Sequence, residues 1–182
     1  AAGLGSGLQT NCNMFKVLCL LTLFVLARIT NAANECNQTA DAWESITQPP
    51  GGLSVLLNST KPRGAMKCLN ATIPDITCKP TASVQFGYKN ASTQKWATFP
   101  WNLAIDGNNV SGTIGAYTLK WTVLYARFNG CSVTEELLGD YGYVYDLWAL
   151  NDTKGEDLRC CEEIFRSKTC GKNYTQPRAG CE

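Results

Sequence analysis

The chain of 182 residues contains no histidine. That absence removes imidazole as a general base, as the partner of a serine or cysteine nucleophile, and as a metal ligand. No Cys-x-x-Cys pair occurs, so a thiolate zinc site has no starting point either. An excess of one charge is missing too: 16 Lys and Arg stand against 15 Asp and Glu, a net of +1. Such a balance supplies no electrostatic attraction for nucleic acid or a membrane surface. Long apolar runs are scarce, and the clearest, Val17 to Ala27, is too short to cross a bilayer.

That run has a different meaning. Met14-Phe15-Lys16 leads into it and Ala32-Ala33 follows, the pattern of a secretory signal with a basic start, an apolar centre and a small-residue cleavage site. We expect residues 1–13 to be leader sequence without structure, residues 14–33 to be the signal peptide, and residues 34–182 to form a single domain. Removing the first 33 residues takes away Cys12 and Cys19, which leaves eight of ten cysteines. It also takes away Lys16 and Arg28, which leaves 14 basic residues against 15 acidic ones. An even cysteine count in a secreted chain reads as a disulfide framework. Cys160 and Cys161 are adjacent. On a helix their side chains point about 100° apart, so they would reach two different parts of the body. Seven Asn-x-Ser/Thr sequons, at Asn37, Asn58, Asn70, Asn90, Asn109, Asn151 and Asn173, fit a glycan-bearing extracellular protein, with at least two left unoccupied.

After a short helical stretch at Thr39–Thr47, stopped by Pro49-Pro50-Gly51-Gly52, β-type runs recur between turn signals. They span Leu53–Leu57, Met66–Ile73, Thr81–Tyr88, Lys95–Ile105, Asn109–Ile114, Leu119–Arg127, Ser132–Leu137 and Tyr143–Leu150. Ala82, Val84, Phe86 and Tyr88 share one face of the third run; Phe99, Trp101, Leu103 and Ile105 share one face of the fourth. Trp121, Val123 and Tyr125 do so in the sixth. Pro100 interrupts the fourth run, which predicts a bend or a sheet edge there. Gly155–Thr169 is the late helix, acidic at its start and basic at its end, with Leu158, Cys161 and Phe165 at helical spacing. Eight antiparallel strands can close into a barrel or pack as a sandwich, and period-two patterning does not separate the two.

Without histidine the remaining chemistry is thin. Asp140, Asp146 and Glu136 offer carboxylates, but no spacing singles out a pair, and we expect neither an enzyme nor a cofactor. What the chain has instead is aromatic residues within its strands, and in a barrel of this size they would line a cavity. The expected lining starts with Val55, Met66, Val84, Phe86 and Tyr88. Phe99, Trp101, Leu103, Trp121, Val123 and Trp148 complete its apolar part.

Several residue groups together resemble the salivary lipocalins of ticks, the histamine-binding-protein family. They are Asp41-Ala42-Trp43, Lys67-Cys68, Tyr88-Lys89-Asn90, Trp101, Asp106-Gly107 and Val123-Leu124-Tyr125. Cys131-Ser132-Val133, Asp146-Leu147-Trp148, Cys160-Cys161 and Cys181 extend the likeness over the whole chain after the signal. The resemblance implies an all-β fold with a C-terminal helix, an eight-stranded antiparallel lipocalin barrel. It implies bridges Cys36–Cys160, Cys68–Cys181 and Cys131–Cys161, with Cys78–Cys170 as the remaining pair. It further implies a protein secreted in saliva that sequesters a small-molecule host ligand, namely a neutral lipid, an eicosanoid or an amine, to modulate host immunity and inflammation. Some relatives also bind a host protein such as complement C5.

The amine motif of the family has an acid where this chain has Ser132, although Asp146 keeps a second acid in shortened form. An unpaired cation buried in a dry cavity costs several kcal/mol, which weakens the case for histamine or serotonin. The moubatin-type and japanin-like branches are closer. The positions that carry cationic anchors for acidic lipids in the moubatin-type branch look like Met66, Trp121, Gly130 and Ser132 here, and none of these pairs with a carboxylate. An aromatic cavity with hydroxyls at Ser132, Thr134 and Tyr125 suits a neutral lipid with one polar end, a sterol being the favoured example.

Overall fold

Alternating β-formers punctuated by turn residues become strands here, as a half-buried period-two pattern requires. The computed structural model describes residues 36, 40–47, 49, 51–73, 79–114 and 117–181. The expected leader and signal segments, Asn37 and Cys78 lie outside the described residues. In chain order come helix α1 (Ala42–Thr47), strands β1 (Leu53–Ser59), β2 (Met66–Thr72), β3 (Thr81–Asn90), β4 (Trp96–Asp106), β5 (Asn109–Ile114), β6 (Tyr117–Ala126), β7 (Cys131–Leu137) and β8 (Tyr143–Leu150), and helix α2 (Glu156–Thr169). A single 3-10 turn, Gly139–Tyr141, joins β7 to β8.

Each strand pairs antiparallel with the next, and β1 closes on β8. The sheet is therefore a barrel, and the sandwich alternative falls. Within the closed barrel Pro100 still falls at a local edge, as its place in the run suggested. Pro100 lies inside β4 opposite Gln85 of β3, while the ladder from β4 to β5 begins only at Asn102. Among the described residues it has a partner strand on one side alone, so its missing N–H is tolerated.

Three bulges shift the register, between Leu56 and Asn58, between Lys67 and Asn70, and between Val123 and Tyr125. A one-residue insertion sends the following side chains to the opposite face. The third bulge has the largest effect. Val123 pairs with Thr134, but Tyr125 pairs with Val133, the neighbour facing the other way. Tyr125 is thus fully buried on the outer face of the sheet. Burial pushes its phenol above the ordinary range, while the Arg127 and Arg159 guanidinium groups pull it down.

Helix α1 closes one end of the barrel. Asp41 caps it, its Oδ1 accepting from the N–H groups of Trp43 (2.8 Å) and Glu44 (3.2 Å). Ala42 is fully buried in the main core beside Val84, Trp101, Leu103, Ile105, Val110 and Val123. Helix α2 lies on the outside, against β6, β7 and β8. It buries Cys160, Cys161, Phe165 and Thr169. Burying the Phe165 ring alone contributes about 1.5–3 kcal/mol. Cys170 ends α2 in the left-handed region at φ 43°.

Disulfides staple the shell: Cys131–Cys161 fixes α2 to the start of β7, and Cys68–Cys181 ties β2 to the C-terminal segment. Cys36 and Cys160 are each disulfide-bonded. The expected Cys78–Cys170 bridge is corrected by the structure, in which Cys170 is an exposed free thiol. Its Sγ is turned back onto its own helix, donating to the Ser167 carbonyl at 2.9 Å.

Candidate ligand-binding site

The residues that point inward leave a cavity of about 300 Å³ within the barrel. This is at the low end of the roughly 300–1,000 Å³ typical of small-ligand pockets. The alternating sets meet there in register. Val84 and Phe86 of β3 face Trp101 and Phe99 of β4, and Leu119, Trp121 and Val123 come from β6. Ser132, Thr134 and Glu136 of β7 stand beside Trp148, Asp146 and Val144 of β8. Phe86 is the hub of the aromatic wall, its ring 4.8 Å from Trp101, 5.9 Å from Trp148 and 6.0 Å from Phe99. Trp101 continues the wall to Trp121 at 5.1 Å. These separations suit edge-to-face and offset contacts between quadrupoles.

Of the residues expected to line the pocket, the structure brings together Met66, Val84, Phe86, Phe99, Trp101, Leu103, Trp121, Val123, Ser132, Thr134, Asp146 and Trp148. Val55 is not among them. It pairs with Asn70 and Ala149, on the opposite face from Ser54, which does line the cavity. Tyr88 also stands apart, one pleat nearer the β3–β4 turn than Phe86. Tyr125 supplies no cavity hydroxyl, for the bulge reason given above.

The end framed by the loop between β1 and β2 is polar, and sequence reasoning missed its composition. Lys61 and Arg63 of that loop line the cavity together with Glu136 and Asp146. Lys61 pairs with Glu136 and Arg63 with Asp146. The Arg63 and Asp146 side chains are only 12% and 16% exposed. Fully buried Ser59 joins them: its hydroxyl donates to Asp146 Oδ1 at 2.6 Å and accepts from Arg63 Nε at 3.1 Å. Every cavity charge therefore has an opposite partner, and the lining is neutral as a whole. The signal that was available was Lys-Pro-Arg in a short loop between two strands, which brings both cations to one barrel end.

At the other end the fit is close. A Cβ on Gly112 of β5 would stand 2.2 Å from Trp101 Nε1 and 2.7 Å from Leu103 Cδ2. Gly112→Ala should therefore push the indole into the cavity, lowering stability by about 1–3 kcal/mol and reducing ligand uptake. Urea unfolding and a fluorescent-lipid titration of the variant check both effects.

No group of metal-binding side chains and no helix long and apolar enough to cross a membrane occurs among the described residues. A closed eight-stranded antiparallel barrel with a hollow aromatic interior and a helix on its flank defines a lipocalin-type ligand-binding protein. Residues 30–178 match the tick histamine binding protein family, to which this chain belongs. Moubatin of Ornithodoros moubata is 30% identical over 175 residues, covering 93% of this chain and 98% of moubatin. Among solved structures, AM182 in complex with serotonin superposes with a TM-score of 0.62 at 21% identity, over 78% of this chain and 92% of that one. Japanin from Rhipicephalus appendiculatus, bound to cholesterol, gives a TM-score of 0.52 at 12% identity, over 74% and 96%. Both share the fold.

Proposed function

We propose that this protein is secreted in saliva as a single-domain, non-enzymatic carrier that sequesters a small neutral lipid of the host, a sterol being the favoured class, and so blunts immunity and inflammation. The observation that carries this reading is the pairing of charge with charge inside an otherwise aromatic cavity. An amine would have to take Asp146 from Arg63 or Glu136 from Lys61. A free fatty acid would have to do the reverse. A neutral ligand with a polar end displaces neither pair, so it avoids leaving a charge unpartnered. The cholesterol complex of japanin is in line with this reading, and the serotonin complex of AM182 makes an amine the alternative.

Native mass spectrometry of protein secreted from insect or mammalian cells tests the proposal. The expected result is a bound neutral lipid. A protein that emerges empty and takes up no sterol, eicosanoid or amine would overturn it. A host protein, complement C5 among the candidates, is the other alternative partner. Capture from plasma that persists when the cavity is filled would favour that partner.

The same spectra read glycan occupancy. Asn109, Asn151 and Asn173 are exposed and should carry glycans. Asn70 should be bare: its Nδ2 donates to the Cys68 carbonyl at 3.2 Å, and its Oδ1 would lie 2.6 Å from a Cβ on Gly87.

A further inference from the structure

The exposed apolar side chains are not spread evenly over the barrel. Six of the nine large ones among the described residues, Met66, Trp96, Tyr117, Leu137, Tyr141 and Tyr143, stand at one end. Four of these open a strand: Met66 begins β2, Trp96 β4, Tyr117 β6 and Tyr143 β8. In an up-and-down barrel those four starts share one end. Helix α1 lies at the other, where the Ala42 N–H donates to the Gly107 carbonyl of the β4–β5 turn. The crowded end is therefore the mouth of the cavity, and Met66 both lines the cavity and is 38% exposed. Trp96 and Tyr117 are 54% and 78% exposed. Clustered apolar groups of this size mark a surface that meets something other than water.

Charge at the same end is one-sided. Residues 60–70 and 86–100, which hold the mouth ends of β2, β3 and β4, contain five cations and no acid. Lys61 and Arg63 are answered across the mouth by Glu136 and Asp146. Lys67, Lys89 and Lys95 have no ion-pair partner among the described residues. On the outer face Lys67 stands directly opposite Lys89, and Lys89 opposite Trp96. Like charges set across a ladder repel, so this arrangement costs the fold stability unless an anion meets it. The balanced net charge of the chain hides this local excess.

We propose that the mouth rim is a docking surface for a phospholipid bilayer carrying anionic headgroups, and that the protein draws its ligand out of the bilayer rather than out of water. This rests on the carrier reading above and goes beyond it. Tryptophan and tyrosine sit at headgroup level, one side apolar and the other wet. Lysines there reach anionic headgroups while their stems lie along the apolar boundary. A neutral lipid leaving the bilayer enters past Met66 without crossing water. The glycan expected at Asn173 stands on the α2 flank, where neighbouring Tyr174 packs on Phe165. Asn90 lies in the rim opposite Met66, and its Oδ1 is taken up by the turn, accepting from the Ser92 and Thr93 N–H groups at 2.9 and 3.0 Å. Docking requires this sequon to be bare.

Flotation of the secreted protein with two kinds of vesicle tests the proposal, one of phosphatidylcholine alone and one with part of it replaced by phosphatidylserine. Wild-type protein should float with the anionic vesicles. Lys67→Gln with Lys89→Gln should lower its partition coefficient on them about ten- to thirtyfold, and added salt should do the same. Trp96→Ser should lower partitioning as well. None of these three residues lines the cavity, so affinity for a fluorescent sterol supplied from cyclodextrin should stay unchanged, while its rate of transfer from anionic vesicles falls with partitioning. Wild-type protein that binds sterol but floats with neither vesicle overturns the docking surface and leaves the carrier reading intact. So does a glycan on Asn90, a dimer in sedimentation that Trp96→Ser dissolves, or a plasma protein whose capture the same change abolishes. Flotation without uptake of any sterol, eicosanoid or amine overturns the carrier reading and, with it, the route.

Discussion

Replacing Cys68 and Cys181 together by alanine should lower the free energy of unfolding by about 4–5 kcal/mol, the chain-entropy value for a loop of this length. The bridge spans a sequence separation of 113 residues. The Cys131–Cys161 bridge spans 30, and its removal should cost about 3–4 kcal/mol, because the entropy of closure grows only as the logarithm of loop length. Urea unfolding of the two double variants measures the order directly. A larger loss at Cys131–Cys161, or no loss at Cys68–Cys181, would contradict it. The effect also reaches the binding site. The segment held by Cys181 forms a two-way backbone bridge to Ser59 through Thr175, and Cys68 N–H donates to the Pro177 carbonyl at 2.8 Å. Ser59 in turn holds both Asp146 and Arg63. Loss of the bridge should therefore loosen the charged mouth before it opens the aromatic end.

Separating Arg63 from Asp146 should change both stability and ligand choice. Either single change, Arg63→Met or Asp146→Asn, removes a partner from a pair that is mostly out of water. Each should cost about 2–3 kcal/mol, below the ~3–5 kcal/mol of fully buried pairs because some solvent reaches this one. The double variant Arg63→Met with Asp146→Leu should recover most of that loss, since two apolar groups leave no charge unmet. Binding should change in opposite directions in the two singles. With Arg63 gone, Asp146 offers a free carboxylate to the cavity, and serotonin affinity should rise about tenfold or more, the low end of measured couplings for close charge pairs. With Asp146 neutralised, Arg63 is released, and a fatty acid carboxylate should gain instead. Wild-type protein should bind both more weakly than an uncharged sterol. Calorimetric titration of the three ligands against the three proteins checks the pattern. Equal ligand preference in all of them would show that the mouth charges play no part in selection.

Much of this architecture was legible in the residues. The phase of Val84 and Phe86, and of Phe99, Trp101 and Leu103, put these side chains on one wall of the cavity, because a strand buries alternate positions wherever it lies in a sheet. The acidic start and basic end of α2 and the Cys160-Cys161 step marked a pinned helix before any packing was known. Val55 and Tyr125 did not follow, for different reasons. Val55 is apolar on the outer face, where burial also rewards it. Tyr125 follows a bulge that period-two counting cannot foresee. Lys61 and Arg63 are not legible as cavity residues in sequence, because a charged loop is ordinarily solvated and their acidic partners are remote in the chain.

The sequence by itself determined which segments are strands, where the late helix begins and ends, and that no imidazole chemistry is available. These are local properties of backbone preference and side-chain type. Only the tertiary structure decided that the sheet closes on itself and which face each residue takes after a bulge. It alone brought Lys61 to Glu136 and Arg63 to Asp146 across 75 and 83 residues of chain. Closure and charge pairing depend on distances between remote segments, and those exist only once the chain has folded.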